Sequence, residues 1–266
     1  VLIAPVHSPF FSSMMAPLDH LAAKRGAVLL YKHDFDGKML QSPDFYLKLL
    51  ERGARNLVLW PHVPQDDWSL LDRLRSVGMN IVVVDQEHET AAADVVALDS
   101  DHGMQSLVQE IRSRSGNGPL RMLAHDPHLP SEHSRQDAFR KSAGDEHKVC
   151  LAPRLEDDAH RDAFILQLIK DALEESRPPV GFVCSNGGLG LAAARAVSVL
   201  RKELVVGTFD YMDTMEEHTL IALKQPIDAM ARATFESLVK QSRYPKQWRA
   251  STLHFEGEII VTGEFA

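Results

Sequence analysis

The sequence predicts two doubly wound α/β subdomains, each a parallel sheet covered by helices on both faces. Three observations carry that expectation. Short runs rich in Val, Leu and Ile alternate with amphipathic stretches along the whole chain. Each run is too short for a helix and is mostly bounded by polar or breaker residues, which is how a buried parallel strand reads. The runs are too many for one small sheet, and a polar stretch, Ser113-Arg114-Ser115-Gly116-Asn117-Gly118, offers a break between two halves.

Taken in order, the first strand is Val1–Val6. A helix follows, carrying Phe11, Met14, Met15, Leu18, Leu21 and Ala22 at three- and four-residue spacing. Strands at Ala27–Tyr31, Leu57–Trp60, Ile81–Val84 and Val95–Leu98 alternate with helices over Asp44–Gly53 and Asp67–Gly78. Gly53 and Gly78 read as stops just past those helices. Beyond them come a helix over His102–Ser113, a strand at Leu120–Ala124, and helices over His133–Ala143 and Asp158–Glu175. A strand at Val180–Cys184, a helix over Gly188–Leu200 and a strand at Leu204–Gly207 complete the alternation. Pro226 opens the last helix, where its missing N–H costs least, and Ile227, Met230, Ala231, Thr234 and Leu238 line one face.

Composition removes several function classes. The chain has 266 residues, 44% hydrophobic and 25% charged, which excludes wholesale disorder. Its formal net charge is −8, with 37 acidic against 29 basic residues and no basic run, so it lacks the footprint that displaces phosphate counterions from nucleic acid. No apolar run approaches the roughly 18–20 residues that span a bilayer. The opening on Val1-Leu2-Ile3-Ala4, inside a strand and without a Met, is that of a fragment or a processed chain. Cys150 and Cys184 end apolar runs and read as two buried thiols of a cytoplasmic protein, with a periplasmic disulfide as the other reading.

Ligands of open α/β sheets bind outside the carboxyl ends of the strands. Those ends read His7-Ser8-Pro9-Phe10-Phe11, His33-Asp34-Phe35-Asp36, Trp60-Pro61-His62, Asp85-Gln86, Asp99-Ser100-Asp101-His102, His125-Asp126-Pro127-His128, Ser185-Asn186-Gly187 and Asp210-Tyr211. Carboxylates, amides and aromatic faces suit a sugar or polyol, and clustered Lys/Arg for a polyphosphate is lacking. No phosphate loop, nucleophile elbow, C-x-x-C or H-E-x-x-H is present. Ser185-Asn186-Gly187-Gly188-Leu189-Gly190 mimics a dinucleotide fingerprint without its spacing. His125, Asp126, His128 and His133 fall close together, but Pro127 and Pro130 stiffen that stretch into a loop rather than a metal-binding helix face. Asp34 with Asp36, or Asp99 with Asp101, has the look of an acid/base pair, at a spacing that carries little specificity. The expectation is a binding protein, not an enzyme, with no cofactor and no metal.

The order of these strand ends resembles the effector domain of LacI/GalR-type transcriptional regulators, a periplasmic-binding-protein-like type I fold shared with periplasmic sugar-binding proteins. The resemblance covers nearly the whole chain. Ser8-Pro9-Phe10-Phe11 stands where the family reads Asn-Pro-Phe-Phe, and Gly78-Met79-Asn80-Ile81-Val82-Val83-Val84-Asp85 is similar to its G-I-P-V-V-x-I-D. Asp99-Ser100-Asp101-His102-Gly103 resembles D-N-x-x-G, and Arg135-Gln136-Asp137-Ala138-Phe139 resembles R-x-x-G-F. Gly181-Phe182-Val183-Cys184-Ser185-Asn186 resembles A-I-F-C-x-N-D, with Gly187 in place of the usual Asp. Val205-Val206-Gly207-Thr208-Phe209-Asp210 resembles V-V-G-F-D, and Leu223-Lys224-Gln225-Pro226 resembles V-x-Q-P.

The resemblance implies an N-terminal subdomain of residues 1–116 plus 226–248 and a C-terminal one of 117–225 plus 249–266, joined by three crossovers with the ligand between them. It implies that Phe10 and Phe11 wall a sugar ring, that Arg135 donates a fork of hydrogen bonds, and that Asn186 and Asp210 hold hydroxyls. Asp101 or His102 would complete the site. The residues alone leave other readings open: core packing for Phe10, Phe11 and Trp60, a surface ion pair for Arg135, a loop cap for Asp210. The implied function is effector sensing in a cytoplasmic, homodimeric regulator that reaches DNA only through an attached domain absent from this chain, either a helix-turn-helix or a winged helix. The other reading on the same fold is a periplasmic sugar-binding protein of an ABC transporter.

Overall fold

The structure is a computed structural model that describes residues 1–4, 9–34, 42–60, 69–85, 90–127, 130–144, 147–155 and 157–265. The chain forms two compact units, Val1–Leu98 with Pro226–Phe255, and Asp99–Gln225 with Glu256–Ala266. It lays down β1 (Leu2–Ala4), α1 (Pro9–Ala23), β2 (Tyr31–His33), α2 (Pro43–Glu51), β3 (Asn56–Leu59), α3 (Ser69–Ser76), β4 (Asn80–Val84) and β5 (Asp94–Leu98) in the first unit. The second unit then receives α4 (Ser100–Ser115), β6 (Leu120–Ala124), α5 (Pro130–Ala143), β7 (Lys148–Leu151), α6 (Asp158–Leu173), β8 (Gly181–Cys184), α7 (Gly187–Leu200), β9 (Val205–Phe209) and β10 (Leu220–Lys224). The chain returns with α8 (Ile227–Arg243) and β11 (Thr252–Phe255) and closes the second unit with β12 (Glu258–Thr262). Among the described residues no helix is long and apolar enough to cross a membrane.

The two sheets repeat one plan. The first runs β2-β1-β3-β4-β5-β11 and the second β7-β6-β8-β9-β10-β12. The first is parallel throughout, whereas β12 lies antiparallel on β10, with Ala222 opposite Ile260. Central strands are buried on both faces, as their unbroken apolar runs require. One face of the first sheet buries Ile3, Leu57, Ile81 and Val95 against Tyr46, Leu49, Leu71 and Leu74. In the second, Leu123, Phe182 and Val206 meet Ile165, Ile169, Leu189 and Ala193.

The unit boundaries differ from those expected at two of the three passages. The first falls after Leu98, not near Gly116, because α4 packs on the second sheet. Its Ile111 sits over Gly181 and Gly207, where an added Cβ would lie 2.9 and 2.6 Å from the Ile111 side chain. Its Gly103 lies so close to the sheet that a Cβ there would meet Leu223 Cδ2 at 2.5 Å. The last passage falls after Phe255, not near Arg249, because Thr252–Phe255 pairs in parallel with β5. Buried Asp94 pins that return: it accepts from Gln241 Nε2 (2.8 Å), Trp248 Nε1 (2.9 Å), and the Ser251 N–H and hydroxyl (both 2.9 Å). The second passage lies at Gln225–Pro226.

Among the elements, the expected strand at Ala27–Tyr31 begins instead at Tyr31, and Val28 and Leu30 are 83% and 55% exposed. The strand that forms there is an edge, so its apolar flank has no second neighbour to bury it. The β7, β10, β11 and β12 strands lie outside the eight apolar runs read as strands above.

Candidate functional site

The carboxyl ends of the second sheet gather three of the expected site residues on neighbouring elements. Arg135 rises from α5 and is 4% exposed. Its Nη1 donates to the Ser185 carbonyl (2.7 Å) at the end of β8 and to Asp210 Oδ2 (3.2 Å) at the end of β9. The guanidinium also lies 4.8 Å from the centre of the Phe209 ring. Asp210 Oδ1 in turn accepts from Gln225 Nε2, just beyond β10. One buried arginine and one half-buried carboxylate thus tie three strand ends together. Fixed donors of this kind are also what a ligand hydroxyl would meet.

Asn186 caps α7, accepting from the Leu189 N–H (3.1 Å) through its side-chain oxygen. Its amide nitrogen faces Ser185 Oγ (3.3 Å) and Glu132 Oε1 (3.4 Å). The next residue, Gly187, has no room for a side chain: a Cβ there would stand 2.4 Å from the Asp210 carbonyl and 3.3 Å from Met212. Any side chain at this position would collide with the strand end itself.

Three residues outside the expected set belong to the cluster. Glu132, in the first turn of α5, is 5% exposed. Its Oε2 accepts from the His125 backbone N–H (3.3 Å) at the end of β6. Gln136, one turn on, donates to the His125 carbonyl (2.8 Å). Gln225 completes the Asp210 contact. Glu132 lies three residues before Arg135, a spacing that shares a helix face and was the one available sequence signal. His125 Nδ1–H donates to the Ala152 carbonyl (2.9 Å). Burial holds this imidazole below its ordinary value of 6.5, against the opposing pull of the Ala152 carbonyl and Glu132, and with Arg154 and Arg161 adding to the depression.

The remaining candidates take no part in these hydrogen bonds. Asp101 and His102 are exposed on the first turn of α4, and Asp101 pairs with Lys141 of α5 at 2.8 Å. Phe10 and Phe11 belong to the first unit. Both are buried, with ring centres 4.7 Å apart, and Phe11 meets Trp60 edge-on at 5.2 Å. Of the other strand ends, His7, Ser8, Phe35, Asp36, Pro61, His62, Gln86 and His128 lie outside the described residues. Asp85 ends β4 with φ +58°, and Asp210 ends β9 with φ +64°. Each follows the fourth strand of its unit in chain order, so two left-handed aspartates mark the same point of a repeated plan. Such backbone costs about 1–3 kcal/mol and concentrates at functional sites.

Cys150 and Cys184 are free thiols, and burial pushes both up from their ordinary range. Among the described residues no group of three or more His, Cys, Asp or Glu is placed to hold a metal ion.

No family model matches the chain, and no curated protein matches it in sequence. Solved structures do match in fold. The transcriptional dual regulator Cra of Pseudomonas putida, in complex with fructose 1-phosphate, is similar at TM-score 0.81 and 17% identity, over 99% of this chain and 98% of that one. A LacI family regulator of Enterococcus faecalis with bound ribose is similar at TM-score 0.77 and 17% identity, over 97% and 95%. An ABC transporter solute-binding protein of Bacillus halodurans with bound myo-inositol is similar at TM-score 0.80 and 12% identity, over 98% and 93%. At these identities the likeness establishes the fold: the chain has the two-unit α/β architecture that regulators and solute-binding proteins share.

Proposed function

We propose that this chain is the effector-sensing part of a LacI/GalR-type bacterial transcriptional regulator and binds a small sugar or polyol. The observation that carries the reading is the Arg135–Asp210–Gln225 cluster, with Asn186 beside it, at the carboxyl ends of the second sheet. It offers fixed donors and acceptors where open α/β sheets bind ligands. The likeness in fold to regulators solved with fructose 1-phosphate and ribose supports the ligand class. An attached DNA-binding domain reads the outcome. The effector acts only through its different affinity for the DNA-competent and incompetent states. The regulator assembles as a homodimer.

The test is thermal unfolding of the chain with D-ribose, myo-inositol and fructose 1-phosphate in turn. A ligand at about 100 times its Kd adds roughly 2.7 kcal/mol of stability, an easily read shift. No shift with any of the three removes the sugar or polyol reading. The second reading, a solute-binding protein of a transporter, has the myo-inositol-bound Bacillus halodurans structure in its favour. A full-length gene product that opens with an export signal and lacks a DNA-binding domain would decide for it.

A further inference from the structure

We infer that Glu132 is a ligand-binding residue, the acceptor of a hydroxyl hydrogen bond; this rests on the polyol reading above. The argument starts from what the carboxylate lacks. It is 5% exposed, and among the described residues it receives two hydrogen bonds on its side chain, both long: 3.3 Å from the His125 N–H and 3.4 Å from the Asn186 amide. An ionised carboxylate offers about four acceptor sites. Arg154 acts on it through its charge, yet a buried carboxylate short of close donors remains costly, and native proteins seldom keep one without a use. Asp94 of the first unit shows what a structural buried carboxylate looks like in this molecule, with four donors between 2.8 and 2.9 Å.

Position supplies the rest. In the second sheet β6 is flanked by β7 and β8, so the order of connections reverses at the β6–β8 gap, where such sheets take their ligands. Glu132 touches both sides of that gap, the end of β6 at His125 and the end of β8 at Asn186. Gly187 has no space for an acidic side chain, so a carboxylate beside Asn186 must come from another element. The first turn of α5 supplies it. Asp210 is already engaged by Arg135 and Gln225, which leaves Glu132 the less committed of the two carboxylates.

Two variants separate binding from folding. Glu132→Gln keeps the shape and weakens the acceptor, and Glu132→Met removes all polarity from an unbranched side chain. Each is compared with the unaltered chain in ligand-free melting and in calorimetric titration with D-ribose, myo-inositol and fructose 1-phosphate. The expected result is that Glu132→Met melts no lower than the parent, while the probe that the parent binds loses about tenfold in affinity in Glu132→Gln and more in Glu132→Met. Melting of Glu132→Met well below the parent makes the carboxylate structural and overturns the inference. Undiminished affinity in Glu132→Gln does the same. Absence of binding by the parent to all three probes is a different failure, seen without any variant: it removes the polyol reading and takes the role of Glu132 with it.

Discussion

At Asp210 three demands meet in one residue. Its backbone takes a left-handed conformation, its carboxylate balances buried Arg135, and its carbonyl closes over Gly187. Asp and Asn tolerate φ above zero better than most residues, so Asp210→Asn separates the charge from the backbone. The expected loss is about 1.5–3 kcal/mol, the worth of a hydrogen bond to a charged group, read by urea unfolding. An unchanged midpoint would show that Arg135 does not depend on the pair. His125 gives a pH dependence with a definite sign. Its folded-state affinity for a proton is depressed, so the unfolded chain binds more protons as pH falls through 6.5. Stability is then full above that value and declines as pH falls from there toward the depressed folded value. In His125→Asn the decline between neutral and mildly acidic pH is expected to be smaller, as melting temperatures at the two ends of that window will show. Among the polar residues of the site, Asn186 and Asp210 were legible as strand ends, and Arg135 through the resemblance of Arg135–Phe139 to R-x-x-G-F. Glu132, Gln136 and Gln225 were not, because their importance is their burial: the spacing of Glu132 and Arg135 marks a shared helix face but not which way it points, and Gln225 follows β10, a strand the apolar runs did not offer.

At the scale of elements, α4 decides where one unit ends and the other begins. Ile111 fills the hollow left by Gly181 and Gly207 on strands β8 and β9. It is fully buried, so Ile111→Ala is expected to cost about 2–5 kcal/mol. A loss under about 1 kcal/mol in chemical unfolding would show that α4 is only loosely seated. The helix itself was legible over His102–Ser113, and it begins two residues earlier at Ser100, capped by Asp99, which accepts from the His102 N–H at 2.9 Å. Its allegiance was not, because the glycines that admit it belong to strands about 70 and 95 residues further on. The same limit explains β11 and β12. Both are short and half exposed, and only their separate partners, β5 and β10, reveal that Glu256 and Gly257 lie between strands of different sheets. The central strands were read nearly to their ends because burial on both faces leaves an unbroken apolar run.

At the scale of the whole molecule, the plan is one fold made twice by a chain that passes between its units three times. Neither unit is a continuous segment. The proposed homodimer would draw its contacts from the surface. It therefore cannot use Met14 or Met79, which are buried in the first unit. Light scattering at micromolar concentration is expected to return about twice the 29.7 kDa of one chain, and a monomer removes the claim. The division into units has an optical consequence. Of the chain's three tryptophans, Trp60 and Trp248 lie in the first unit, and Trp68, outside the described residues, falls in the same stretch of sequence. Arg135, Asn186, Asp210 and Glu132 all belong to the second, which holds no indole at all. Intrinsic emission is therefore a one-sided label. When a ligand is titrated, any change in tryptophan fluorescence is a message from the unit that does not carry these four residues.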